Sequence, residues 1–142
     1  METKVLLVDD EVEFTSVLSE RLGNRGFKVE TANDGIEAIK KVRDINYDAI
    51  ILDFAMPGLD GIETLQILLD KKPDLQVIFL TGKATLEEGV EAVKLGAMDV
   101  LEKPADINKI IEKIKEAQVE KMLIINKEAE DRIKNLLSEK GW

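Results

Sequence analysis

Four short stretches of the sequence end in side chains that could do chemistry together. The acidic pair Asp9-Asp10 follows the apolar run Val5-Leu6-Leu7-Val8, and Asp53 follows Ala49-Ile50-Ile51-Leu52. Thr81 closes Val77-Ile78-Phe79-Leu80, and Lys103 follows Asp99-Val100-Leu101-Glu102. If these runs are neighbouring strands, carboxylates at adjacent strand ends, about 4.8 Å apart, can share one cation. A lysine two strands away, roughly 10 Å off at the backbone, brings its ammonium to the same point. Three carboxylates with one lysine leave excess negative charge, which is costly to ionise fully without a counter-ion. With no His and no Cys in the chain, the donors are all oxygens. Such a set suits a hard divalent cation, Mg²⁺ first and Mn²⁺ or Ca²⁺ after it, and then an anionic group on the metal.

The elements that must position these residues are legible in the hydropathy pattern. Residues 4-8, 27-31, 48-53, 76-81 and 98-102 have the length and composition of strands. Between them apolar residues recur at three- and four-residue steps, as in Phe14, Val17, Leu18 and Leu22, or Leu86, Val90 and Val93. Thr85 with Glu88 has the spacing of a capping box, Gly26 and Gly96 stand where helices end, and Pro57-Gly58 has the order of a type II turn. Three strand runs are apolar without alternation, as expected when helices cover both faces of a sheet. Five strands alternating with five helices predict a doubly wound α/β domain over roughly residues 1-119, with ligands outside the carboxyl ends of the strands.

Composition narrows the function classes. A chain of 142 residues with 44% apolar content suits one domain with a modest extension. A net charge of -9 argues against direct nucleic-acid binding and points to a protein partner. No apolar stretch approaches a membrane span, and the acidic N-terminus is unlike a signal peptide, so a cytoplasmic location is expected. The lack of Cys excludes disulfides and thiolate metal sites. The lack of His excludes a histidine base and any histidine phosphorelay step within this chain.

Val5-Leu6-Leu7-Val8-Asp9-Asp10-Glu11, then Asp53-Phe54-Ala55-Met56-Pro57-Gly58-Leu59-Asp60-Gly61, then Thr81, then Lys103-Pro104, resemble the receiver domain of bacterial two-component response regulators. The resemblance implies a flavodoxin-like five-stranded parallel sheet of order 2-1-3-4-5 with five helices, the last one extended. It makes Asp53 the phosphoacceptor. Asp10 would bind Mg²⁺ directly, Asp9 through water, and the backbone carbonyl of Ala55 would complete the protein ligands, with Mn²⁺ able to substitute. Thr81 would donate to the phosphoryl group and Lys103 would pair with it. The implied partners are a sensor histidine kinase or phosphotransfer protein and a downstream protein target. The chain would not be a conventional enzyme, only a Mg²⁺-dependent acceptor that dephosphorylates itself. Taken singly, each piece also has an ordinary meaning: Asp9-Asp10 as a solvated helix start, Asp53 as an exposed strand-end acid, Lys103-Pro104 as a turn. Their joint order and spacing carry the resemblance.

Two departures from the family pattern stand out. Val100 occupies the place, three before Lys103, where the family usually has an aromatic switch partner for Thr81, so coupling to the surface of the fourth helix, fifth strand and fifth helix is expected to use loop and helix movement or to be weaker. Ala55 and Lys83, two after Asp53 and two after Thr81, offer no carboxylate or amide to orient an attacking water, which predicts a long-lived phosphoaspartate. Other folds and classes fit less well. Gly82-Lys83-Ala84-Thr85 is similar to the end of a P-loop but lacks the upstream glycine. A flavin carrier would need a hydroxyl- and glycine-rich loop where Asp9-Asp10-Glu11 stands, and a haloacid-type phosphatase would need an Asp where Ala55 stands.

The tail, residues 120-142, is the second informative region. From Asp106 to Lys140 there is neither Gly nor Pro, and a helix of that length runs about 50 Å. Ile107, Ile111, Ile114, Met122, Ile125, Ala129, Ile133 and Leu136 form a stripe interrupted at Gln118, of which the first three can pack on the sheet. The rest fits a coiled-coil homodimer with Asn126 setting register, a break near Asn126 that folds the end back, or a frayed helix. The tail is too short for a helix-turn-helix output domain, and it is not basic. The chain is therefore expected to be a single-domain regulator, or else a receiver with a dimerisation linker cut from a larger transcription factor.

Overall fold

The computed structural model of the protein describes residues 2–82 and 86–139, the side chain of Leu86 excepted. The expected capping box at Thr85-Glu88 and the flanking position Lys83 lie outside the described residues. Five strands, β1 (Lys4–Val8), β2 (Lys28–Ala32), β3 (Ala49–Leu52), β4 (Val77–Thr81) and β5 (Asp99–Glu102), alternate with α1 (Val12–Asn24), α2 (Gly35–Asp44), α3 (Gly61–Lys71), α4 (Leu86–Lys94) and α5 (Ile107–Glu139). All pairings are parallel and the order is β2-β1-β3-β4-β5, as the sequence implied.

The pleat of the sheet divides the core. Leu6, Val8, Ile50, Leu52, Val77 and Phe79 point to one side, where they meet Ala38 and Val42 of α2, Leu65 and Leu68 of α3 and Ala92 of α4. Val5, Leu7, Ala49, Ile51, Ile78 and Leu80 point to the other and meet Leu18 and Leu22 of α1 and Ile110, Ile114 and Ala117 of α5. The central strands β1, β3 and β4 are thus buried on both faces, which is why their sequences lack alternation. The edge strands β2 and β5 are only half-buried over most of their length.

Helix ends follow their residues. Asp34 accepts from the Glu37 N–H at 2.8 Å, while Glu37 accepts from the Asn33 N–H at 2.9 Å. Asp60 and Glu63 form a reciprocal capping box at the start of α3. Gly26 and Gly96 close α1 and α4 with φ of 93° and 113°, a conformation that costs a residue with Cβ. Gly58, after Pro57, has φ of 80°, consistent with the expected type II turn.

The fifth helix corrects two expectations. It is one continuous helix of 33 residues, without a break near Asn126. Ile107, Ile111 and Ile114 pack on the sheet as expected, the first two half-buried, and Ile110 and Ala117 join them as fully packed residues. Gln118 does not interrupt the packed face, because its Oε1 accepts from the Thr3 hydroxyl at 3.2 Å.

Candidate functional site

The sheet ladder itself places the site. Asp9 N–H donates to the Ala32 carbonyl at 3.1 Å, Asp53 N–H to Val8 at 3.0 Å and Lys103 N–H to Thr81 at 2.8 Å. Each of these residues sits one step past its strand, with its backbone held by the neighbouring strand's last carbonyl. Val8 and Leu52 are register partners, so Asp9 and Asp53 emerge side by side. The three carboxylates of Asp9, Asp10 and Asp53 each offer an oxygen within 4.8 Å of the others. Asp9 and Asp53 are buried, at 3% and 6% exposure, while Asp10 is open to solvent. A solvated helix start therefore does not describe Asp9.

Among the described residues, the lysine at this edge is engaged by acids. Lys103 Nζ lies 2.6 Å from Asp9 Oδ2 and 3.5 Å from Glu11 Oε1. It also stands 4.1 Å from the centroid of the Phe14 ring, a cation–π contact. The other Asp9 oxygen accepts from the Glu11 N–H at 3.0 Å. Burial opposes the Lys103 charge, but its hydrogen bond to Asp9 and the charges of Asp9, Asp53 and Glu11 hold the ammonium above its ordinary pKa. The Lys103-Pro104 peptide is cis.

Asp53 has the opposite balance. Burial, followed by the charge of Asp9, pushes its carboxyl up from the ordinary range, against the pull of Lys103, the Phe54 N–H and a hydrogen bond from Thr81. Thr81 is itself buried at 1% exposure at the end of β4. The donor set is thus all oxygen, crowded, partly desolvated and short of positive charge, which fits a hard divalent cation.

The loop after Asp53 is held by burying Phe54 and Met56, with Phe54 stacked on Phe79 at 4.2 Å between centroids. Ala55 is exposed in this loop, two residues past Asp53. Gly61 then brings α3 against the site. A Cβ there would lie 2.5 Å from the Asp53 carbonyl oxygen, 2.7 Å from Phe54 Cα and 2.8 Å from the Phe79 ring. Val100 stands apart from the acidic cluster, half-buried on β5 opposite Phe79 and facing Gly89 of α4. The sequence reading gave no role to Phe14, Glu11 or Gly61. Glu11 and Gly61 lay within the quoted motifs, whereas nothing local marks Phe14 as the partner of a lysine eighty-nine positions away.

The family model described as the response regulator receiver domain matches residues 5–115. The chain belongs to this receiver family. The receiver is 42% identical over 113 residues to the transcriptional regulatory protein CpxR homolog of Haemophilus influenzae, covering 80% of this chain and 49% of that one. Over 106 residues it is 37% identical to the transcriptional regulatory protein ZraR of Klebsiella oxytoca, covering 75% of this chain and 24% of that one. The receiver thus spans less than half the length of these curated relatives. Among solved structures, the Francisella response regulator 1452 receiver domain aligns with a TM-score of 0.77 at 32% identity, covering 82% of this chain and 97% of that one. A Burkholderia pseudomallei response regulator, described as carrying a phosphorylated aspartic acid, a calcium ion and citrate, aligns with a TM-score of 0.76 at 27% identity, over 99% of this chain and 86% of that one. Membership places the receiver in two-component signalling, and no helix among the described residues is long and apolar enough to cross a membrane.

Proposed function

We propose that this receiver takes a phosphoryl group from the phosphohistidine of a sensor kinase or phosphotransfer protein onto Asp53. A bond forms between an Asp53 carboxylate oxygen and phosphorus as the phosphorus–nitrogen bond to the donor breaks, and water later hydrolyses the acyl phosphate. The observation that carries the reading is the desolvated Asp53 carboxylate beside two further aspartates, with Lys103 and Thr81 at the same edge. Phosphoryl transfer asks a protein mainly for positioning and for neutralisation of the phosphoryl oxygens.

The residues divide that work. Mg²⁺, or Mn²⁺ in its place, would be held by Asp10 and Asp53, by Asp9 through water and by the Ala55 carbonyl, and supplies positive charge against the phosphoryl oxygens. Lys103, now bound to Asp9, is long enough to turn its ammonium to a phosphoryl oxygen on Asp53. Thr81, now bonded to the Asp53 carboxylate, donates to the phosphoryl group instead and draws the following loop inward. The Burkholderia structure, described as carrying a phosphorylated aspartic acid and a calcium ion, supports an aspartate as acceptor in this fold. Ala55, two residues past the acceptor, offers no carboxylate or amide to orient an attacking water, so the phosphoaspartate is long-lived, and Ala55→Asn shortens its lifetime.

Output passes through protein contacts in the cytoplasm, by the surface of α4, β5 and α5, where Val90, Val93 and Leu95 are exposed. Because Val100 has no ring to swing, the shift is carried by α4 moving over it. A second reading makes the chain the receiver and linker of a larger transcription factor, favoured by the length of the curated relatives. Incubation with a small phosphodonor and Mg²⁺, followed by intact mass, tests the central step. Wild type gains one phosphoryl group and Asp53→Asn gains none; a wild type that stays unmodified under every divalent cation tried overturns the reading.

A further inference from the structure

From Asn126 to Glu139 every side chain of α5 except that of Ala129 is exposed, so this stretch has no cover from the domain. It is nonetheless amphipathic. The line that faces the domain through Ile110, Ile114, Ala117 and Lys121 passes Ile124 and Ile125 and then continues as Glu128, Arg132, Asn135 and Glu139, the last four suited to water. Roughly a third of a turn away, at about 100° per residue, runs a different line. Val119, Met122, Asn126, Ala129, Ile133 and Leu136 fall at alternating steps of three and four, a continuous heptad seam, and Val119, Met122, Ile133 and Leu136 are 56–58% exposed. Leu123 and Leu137 widen it. A second helix can lie along this seam without displacing any domain contact.

We propose that the occupant is a second copy of this chain, forming a parallel, in-register, two-stranded coiled coil along residues 119–139. Asn126 selects this partner. It sits at the central a position of an otherwise apolar seam, where an unpaired amide is costly and a matched one fixes register and two strands. In a parallel homodimer symmetry places Asn126 opposite its own counterpart, and the two amides bond across the axis. Antiparallel packing would set a against d and leave Asn126 facing Met122 or Ala129. The β-branched Val119 and Ile133 at a, with Met122 and Leu136 at d, also favour two strands. Between Val119 and Glu139 there are four basic and five acidic side chains, which removes the positive face that an acidic lipid surface or nucleic acid would require. The inference does not depend on Asp53 or on phosphate.

The absence of Cys makes the test clean, because a single introduced thiol reports one position. The full chain is sedimented over a range of concentrations as wild type and Ile133→Glu, and Ala129→Cys is compared with Asp131→Cys under mild oxidation. Ile133 belongs to neither core cluster, so Ile133→Glu keeps the receiver domain folded, with the urea midpoint of wild type at concentrations where both are monomeric. The expected result is a monomer–dimer equilibrium in wild type, weakened at least about tenfold by Ile133→Glu, with Ala129→Cys forming a covalent dimer about tenfold faster than Asp131→Cys. A wild type that remains monomeric at hundreds of micromolar, a mass above dimer, a dimer indifferent to Ile133→Glu, or equal cross-linking at the two thiols would overturn it.

Discussion

At Asp53 three neighbours, Lys103, the Phe54 N–H and Thr81, pull against burial and lose. Its carboxyl sits above the ordinary pKa because the charged form is desolvated and faces Asp9. The folded state therefore holds this proton more tightly than the unfolded chain. Without metal, the Asp53 contribution to stability falls as pH rises from the ordinary carboxylate pKa through the raised one, and it stays unfavourable at neutral pH. Asp53→Asn removes that repulsion, so in chelator at pH 7 its thermal midpoint is expected a few degrees above wild type. Added Mg²⁺ should raise wild type more than the variant, since only wild type keeps all three carboxylates. A midpoint for Asp53→Asn below wild type in chelator would contradict this balance. Gly61 shows the same site from its backbone side. A methyl group there meets two backbone atoms and an aromatic carbon, none at the end of a flexible chain. Gly61→Ala should cost about 2 kcal/mol or more in urea denaturation, by forcing α3 away from Asp53.

At the level of elements, the strands were legible because each of β1, β3 and β4 is an unbroken apolar run and the polar site residues begin where the run ends. Helix caps were partly missed. The Asp60–Glu63 box and the Asp34–Glu37 pair carry the three-residue spacing, but with 29 acidic residues in the chain that spacing alone does not mark a cap. Asp60→Ala should cost about 1 kcal/mol by loss of the cap. The fourth helix carries a different lesson. Gly89 lies mid-helix over Val100, and a Cβ there would make only ordinary contacts of 3.9–4.0 Å with it. Gly89→Ala should therefore stabilise the protein by roughly 0.5–1 kcal/mol through helix propensity alone. If α4 movement carries the signal, the same substitution should slow the phosphate-dependent change at the surface of α4. Equal rates of that change, followed by fluorescence of a probe on α4, would argue that the movement lies elsewhere.

Across the whole molecule, the sequence specified the acidic edge better than the helix that follows it. Asp9, Asp10, Asp53, Thr81 and Lys103 follow strands whose register is set by hydrophobic pattern, so their meeting could be foreseen. Phe14 over Lys103, and the addition of Ile110 and Ala117 to the α5 packing line, depend on how helices roll on the sheet, which residue spacing alone does not determine. The domain ends, energetically, within α5 and not at its start. Ala117 is fully buried, Gln118 accepts from Thr3, and Lys121 Nζ donates to the Tyr47 carbonyl at 2.8 Å. Ile125 still borders a groove with Lys72 and Pro73. Removing residues 126–142 should then leave urea stability of the monomer within about 0.5 kcal/mol of the full chain, since the described positions from Asn126 to Glu139 are exposed but for Ala129. Removing residues 117–142 should cost roughly 2–4 kcal/mol, since a packed side chain and two long-range hydrogen bonds go together and Ile114 loses its cover. Equal losses for the two truncations would mean that α5 is stabilised as one unit from end to end, with the exposed seam contributing to the domain by propagating helix and not only by pairing.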